Sequence, residues 1–185
     1  MRPIIIGIGG AYSSVGKTTI ASILLNHLKG WGAIKYTPSD LYCSILDDRE
    51  ILRQEGKDTA ILLSSGAEEV LWVQSPPLEL KEIISMAIDR LSHLRGIIVE
   101  GNSAIEFLKP DIVIFISGRD IETLKESAIN ILNMADIILF QHEPSIKLPE
   151  RAKKFKVAYL SISELDECIN YIYELLNERQ GSRRG

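Results

Sequence analysis

The chain has 185 residues, 45% of them hydrophobic, with 21 Lys and Arg against 25 Asp and Glu and a formal net charge of −4. This is the length of one domain at roughly 100–200 residues each, enough to close a core without disulfides or a structural metal. A pI near 5.5 argues against general nucleic-acid binding, and apolar runs such as residues 112–116 are far short of the ~18 residues of a membrane span.

The opening Met-Arg-Pro-Ile-Ile-Ile-Gly is too soon interrupted by glycine to read as a secretory core, so a cytoplasmic location is expected. Cys43 and Cys168 form no CxxC and lie far apart, the pattern of reduced thiols. The run Ile4, Ile5, Ile6, Ile8 is continuous and β-branched, as in a strand buried on both faces of a parallel sheet. After a glycine-rich loop, Ile20, Ile23, Leu24 and Leu28 recur with helical spacing up to Gly30. Residues 33–37 predict a second strand, and 57–65 a short helix stopped by Gly66. Val70, Leu71 and Val73 predict a third strand, and Ser75 with Pro76 and Pro77 supplies an N-cap and first-turn prolines. The helix that follows carries Leu80, Ile83, Ile84, Ala87, Ile88 and Leu91 on one face.

Residues 97–99 form a fourth predicted strand ending at Glu100, and 112–116 a fifth. Ile121, Leu124, Ala128, Leu132 and Ala135 mark a helix, 137–140 a sixth strand and 157–160 a seventh. A last helix bears Leu165, Ile169, Ile172, Tyr173 and Leu176, with Ser161 and Glu164 spaced as a capping box. The alternation predicts one three-layer, doubly wound α/β domain over residues 1–179, with a mostly parallel sheet of about seven strands and a frayed tail at 180–185.

Chemistry concentrates between the first strand and the first helix, in Gly10-Ala-Tyr-Ser-Ser-Val-Gly16-Lys17-Thr18-Thr19. From Ala11 onward this is the [AG]xxxxGK[ST] phosphate-binding loop, with Ala in place of the first Gly. A phosphate chain needs inward-facing backbone N–H groups, and small residues at Gly10, Ala11, Ser13, Ser14 and Gly16 let the loop close around it, with Val15 between them. Lys17 is expected to reach the β and γ phosphates and the Thr18 hydroxyl to ligate Mg²⁺, while Thr19 continues the uncapped helix start. A second carboxylate is expected where another strand ends beside the loop, and Glu100 in Gly96-Ile-Ile-Val-Glu100-Gly101 supplies it. Asp40, just past the second strand, is a further candidate for metal-facing or water-positioning work, in competition with Asp47 and Asp48. Lys17, Glu100 and Asp40 are thus the candidate catalytic set, and Thr18, Glu100 and Asp40 the candidate metal set.

These residues resemble the branch of P-loop NTPases that includes dethiobiotin synthetases, nickel-insertion GTPases and the molybdopterin-guanine dinucleotide biosynthesis protein B family. Tyr12 stands where the ParA-like branch has its signature lysine. The phosphate loop, the stretch Gly56-Lys57-Asp58-Thr59 leading to Ser65-Gly66-Ala67, and Val99-Glu100-Gly101 are similar in order and spacing to the protein B family over about residues 3–117. The resemblance implies that Lys17, Thr18 and Glu100 serve nucleotide and Mg²⁺, and that Lys57 and Asp58 lie near the ligand face. It further implies a homodimeric GTP-binding accessory protein that supports attachment of GMP to molybdopterin by a separate molybdopterin guanylyltransferase, hydrolysing nucleotide weakly. The sequence departs from the family after the second strand, where a Lys-His-Thr-His-His-Asp type segment is replaced by Lys35-Tyr36-Thr37-Pro38-Ser39-Asp40. It also continues past residue 118 for two more strand and helix units.

Three readings stay open on the residues. GTP is inherited from the resemblance, since 137–140 is followed by Gln141-His142-Glu143-Pro144 and no NKxD; ATP is the alternative. An ATP-dependent kinase or ligase resembling dethiobiotin synthetase would use Lys35 or Lys57 to anchor its substrate. A metallochaperone-type GTPase has against it the three scattered histidines His27, His93 and His142. Arg119 reads as a surface residue at a helix start, and Lys147, Arg151, Lys153, Lys154 and Lys156 as a solvated loop and helix face.

Overall fold

The computed structural model describes residues 2–118, 123–158 and 162–182. In chain order these form β1 (Ile4–Gly10), α1 (Lys17–His27), β2 (Trp31–Pro38), β3 (Ser44–Leu46), α2 (Arg49–Leu52), α3 (Asp58–Ser64) and β4 (Val70–Ser75). A 3₁₀ turn (Pro77–Glu79) leads into α4 (Leu80–Arg90), then β5 (Gly96–Glu100), α5 (Asn102–Leu108), β6 (Ile112–Gly118), α6 (Glu126–Met134), β7 (Ile137–Phe140), β8 (Lys153–Lys156) and α7 (Ile162–Ser182).

One eight-stranded sheet runs β3-β4-β2-β5-β1-β6-β7-β8. All neighbours are parallel except β3, which pairs antiparallel with β4. The β-branched runs of β1, β5 and β6 are buried throughout because helices cover both faces. Ile4, Ile6, Ile8, Ile98 and Ile114 share a core with Ile20 and Leu24 of α1 and Leu165, Ile169 and Ile172 of α7. On the opposite face, Ile5, Val73 and Ile97 pack against Ile84, Ala87 and Ile88 of α4. Val113, Phe115 and Ile138 pack against Ile105 of α5 and Ile131 of α6. The strand period of two thus produces the three expected layers.

The structure corrects the sequence reading in several places. Among the described residues there are eight strands where about seven are expected, the addition being the antiparallel edge strand β3. The last strand among the described residues is Lys153–Lys156, ahead of the expected 157–160, and residues 157 and 158 are not in it. Val157 is buried just beyond it, while residues 159–161 lie outside the described residues, as does the expected capping serine Ser161. Three basic residues of the 147–156 cluster, Lys153, Lys154 and Lys156, therefore stand exposed on an open sheet edge, where lysines oppose pairing with another chain. Ser75 does not cap α4: it ends β4, fully buried, with the Tyr36 hydroxyl donating to its carbonyl at 3.2 Å. Helix α7 continues through Ser182, past the expected fraying point. Arg119 and Ile121 lie outside the described residues. No helix among the described residues is long and apolar enough to cross a membrane.

Candidate functional site

Strand β1 sits between β5 and β6: the chain leaves β1 toward the β2 side and later crosses from β5 past β1 to β6 on the other. The carboxyl end of β1 is therefore a point where strand order reverses, the place where open α/β sheets bind ligands. Residues 11–16 fill it. The Ala11 N–H donates to the Ile116 carbonyl at 3.0 Å, tying the loop's first residue to β6. A methyl group at Gly10 would collide with Val15 Cγ1 and stand 3.1 Å from the Ile116 oxygen, so only glycine lets the loop fold back over its own strand.

Ser14 (φ 61°) and Gly16 (φ 104°) both have left-handed backbone. Left-handed residues within a short loop turn successive N–H groups to one side and form an anion-binding nest, and a non-glycine residue held there is strain of the kind that gathers at functional sites. Gly16 is also the N-cap of α1, which has no side-chain cap and no acidic residue in its first turn. Its leading N–H groups are left for an anion. Lys17 lies across the loop, its ammonium donating to the Tyr12 carbonyl at 3.0 Å.

On the β5 side the loop meets charge. The Thr18 hydroxyl donates to Glu100 Oε2 at 2.8 Å. Glu100 is 2% exposed, and its other oxygen, Oε1, pairs with the Lys35 ammonium. Lys35 also pairs with Asp58 Oδ2 at 2.5 Å, and Asp58 is the first residue of α3. The register explains the meeting: Glu100 is opposite Ile8 on one side and Lys35 on the other, so neighbouring parallel strands present them at one level. Burial pushes the Lys35 ammonium down, but the Glu100 and Asp58 carboxylates more than offset this and hold it above the ordinary lysine value. Lys17 is held below that value, chiefly by burial and also by the nearby charge of Lys35, with Glu100 and Asp58 opposing.

The structure thus brings together Lys17, Thr18, Glu100 and Asp58 from the sequence reading, with Ala11 and Val15 buried and Ser13, Ser14 and Thr19 exposed around them. Asp40 does not join them. It is exposed and makes no hydrogen bond or ion pair among the described residues, while its neighbour Ser39 is tied back to β4 by its N–H donating to the Ser75 carbonyl. Its two rivals have structural work: Asp47 pairs with Arg90 at 3.5 Å, and Asp48 caps α2. Lys57 turns away from the ligand face, donating to the Ile51 carbonyl and lying 4.9 Å from the Trp72 ring centroid.

Two residues were missed. Lys35 was considered only as a substrate anchor, yet it is the partner of the buried Glu100. Asn102 clamps the root of the loop, accepting from the Gly10 N–H at 3.0 Å and donating to the Gly10 carbonyl at 2.9 Å. A signal existed for Asn102, an amide two residues after the acidic strand end, on a strand expected beside the loop.

No family model matches the chain, and no curated protein matches it in sequence. Among solved structures it is similar to HypB from Helicobacter pylori, determined in complex with nickel: TM-score 0.58, 14% sequence identity, covering 96% of this chain and 89% of that one. The chain therefore shares the fold of that protein over nearly its whole length.

Proposed function

We propose that the chain binds a purine nucleoside triphosphate with Mg²⁺ on residues 11–19 and hydrolyses it weakly. The observation that carries this is the loop itself: left-handed Ser14 and Gly16, an uncapped helix start, and a lysine lying across it. Thr18 and Glu100 fit Mg²⁺ as a hydroxyl and a buried carboxylate 2.8 Å apart, both hard oxygen donors. Mg²⁺ there would supply neutralisation of phosphate charge, and the chain's own part is positioning through the loop N–H groups and Lys17.

The finer reading is a GTP-binding accessory protein that supports GMP attachment to molybdopterin by a guanylyltransferase. It is supported by the sequence resemblance alone, two of whose three features, the loop and the Glu100 strand end, meet at one point with Asp58 of the third. A second reading is a metallochaperone-type GTPase, favoured by the likeness to a nickel-bound HypB. Among the described residues no group of three or more His, Cys, Asp or Glu is arranged to hold a metal ion, so that reading needs cargo ligands from elsewhere.

Calorimetric titration of GTP and ATP, each with Mg²⁺, into the wild type and Lys17→Ala tests these readings. We expect GTP to bind at least about tenfold tighter than ATP, and Lys17→Ala to weaken binding about a hundredfold, the worth of two charge-assisted hydrogen bonds. Preference for ATP turns the reading to a kinase or ligase. Binding of neither nucleotide overturns it.

A further inference from the structure

We propose that Lys35 is a built-in competitor of Mg²⁺ for Glu100: its ammonium holds the carboxylate in the nucleotide-free chain and moves onto Asp58 when the dication arrives with nucleotide. The inference rests on the nucleotide reading above and adds a regulatory element to it. Glu100 is 2% exposed and carries one negative charge, and two side chains already claim it, Thr18 through Oε2 and Lys35 through Oε1. An ammonium paired with a buried carboxylate neutralises it. A dication brought to Thr18 and Glu100 then meets a resident positive charge within the same shell, where unit charges repel strongly in the partly dry interior.

The structure gives that charge somewhere to go. Lys35 is already shared with Asp58, which is half-exposed at the rim and belongs to a different element, α3. The second carboxylate lets the lysine leave the first without losing its ion pair, and it links occupancy of the phosphate loop to the start of α3.

The test is calorimetric titration of Mg²⁺ into the full chain saturated with GTP, or with ATP should the wild type prefer it. Lys35→Met lowers the Mg²⁺ concentration at half-saturation about tenfold, while Lys35→Arg, which keeps the charge, stays near wild type. Asp58→Asn raises it about threefold, since the lysine then has only Glu100 to hold. Melting of each variant without nucleotide shows which are folded. If Lys35→Met does not fold, Asp58→Asn decides, and a half-saturation equal to or below wild type overturns the exchange. Equal Mg²⁺ requirements in wild type and folded Lys35→Met overturn the exchange and leave the nucleotide reading standing. A wild type that binds no nucleotide sinks both.

Discussion

The two sides of the phosphate loop are held by different physics. Toward β5 the loop borders on charge, with Thr18, Glu100, Lys35 and Asp58 joined in one run of ion pairs and hydrogen bonds. Toward β6 it borders on shape: Ala11 is bonded to Ile116, and Tyr12 and Val15 close over Gly118, whose φ of 75° and crowded surroundings leave no room for a side chain. A lysine shared by two carboxylates can shift between them, whereas close packing resists rearrangement. The β5 side is therefore where the molecule can respond to ligand charge, and the β6 side is what keeps the loop in one shape while it does so.

This division predicts unequal costs. Glu100→Ala leaves Lys35, which is only 17% exposed, with one half-exposed partner and Thr18 with none. Removing one member of a buried pair costs about 3–5 kcal/mol, so the urea midpoint should fall accordingly and Mg²⁺-dependent nucleotide binding should vanish. Gly10→Ala attacks the packing side by forcing a methyl group against Val15 and the Ile116 carbonyl. Overpacking of this kind costs about 1–3 kcal/mol, and nucleotide binding should weaken with or without Mg²⁺. If Gly10→Ala instead changed the Mg²⁺ requirement and left metal-free binding intact, the two sides would not be separate.

The same contrast explains what the sequence made legible. Strands β1, β5 and β6 are buried on both faces and read as unbroken apolar runs, so their order and the loop between β1 and α1 were plain. The edge strands were not. In β8 only Phe155 is partly buried among exposed lysines, and β3 is three half-buried residues after an exposed turn, so neither has a buried run to detect. Short α2 is only four residues held by its Asp48 cap, and α5, following directly on Gly101, ends at left-handed Lys109 without the glycine stop that marks α3, a helix of the same length. In the site, Lys17 and Thr18 follow from a contiguous motif. The Lys35–Glu100 pair spans 65 residues and the Gly10–Asn102 clamp 92, and only the adjacency of β1, β2 and β5 in the sheet brings them together.

The smallest expected effect probes where the two sides meet, at Lys17. Its ammonium is held below the ordinary lysine value, first by burial and then by Lys35, against the opposing carboxylates. In the alkaline range near its lowered value a fraction of Lys17 is therefore neutral in the free chain, while a bound phosphate chain, fully ionised there because its last proton leaves near pH 6, favours the charged form. Binding should take up a fraction of one proton per site and weaken as pH rises through the Lys17 value of the free chain. Well below that value Lys17 is charged in both states and contributes no uptake. Calorimetry in two buffers of different ionisation heat reads the proton count directly. Lys17→Arg supplies the control, because a guanidinium stays charged throughout this range and should abolish the uptake while keeping measurable binding. Uptake that persists in Lys17→Arg would assign the proton to another group and place the phosphates away from Lys17.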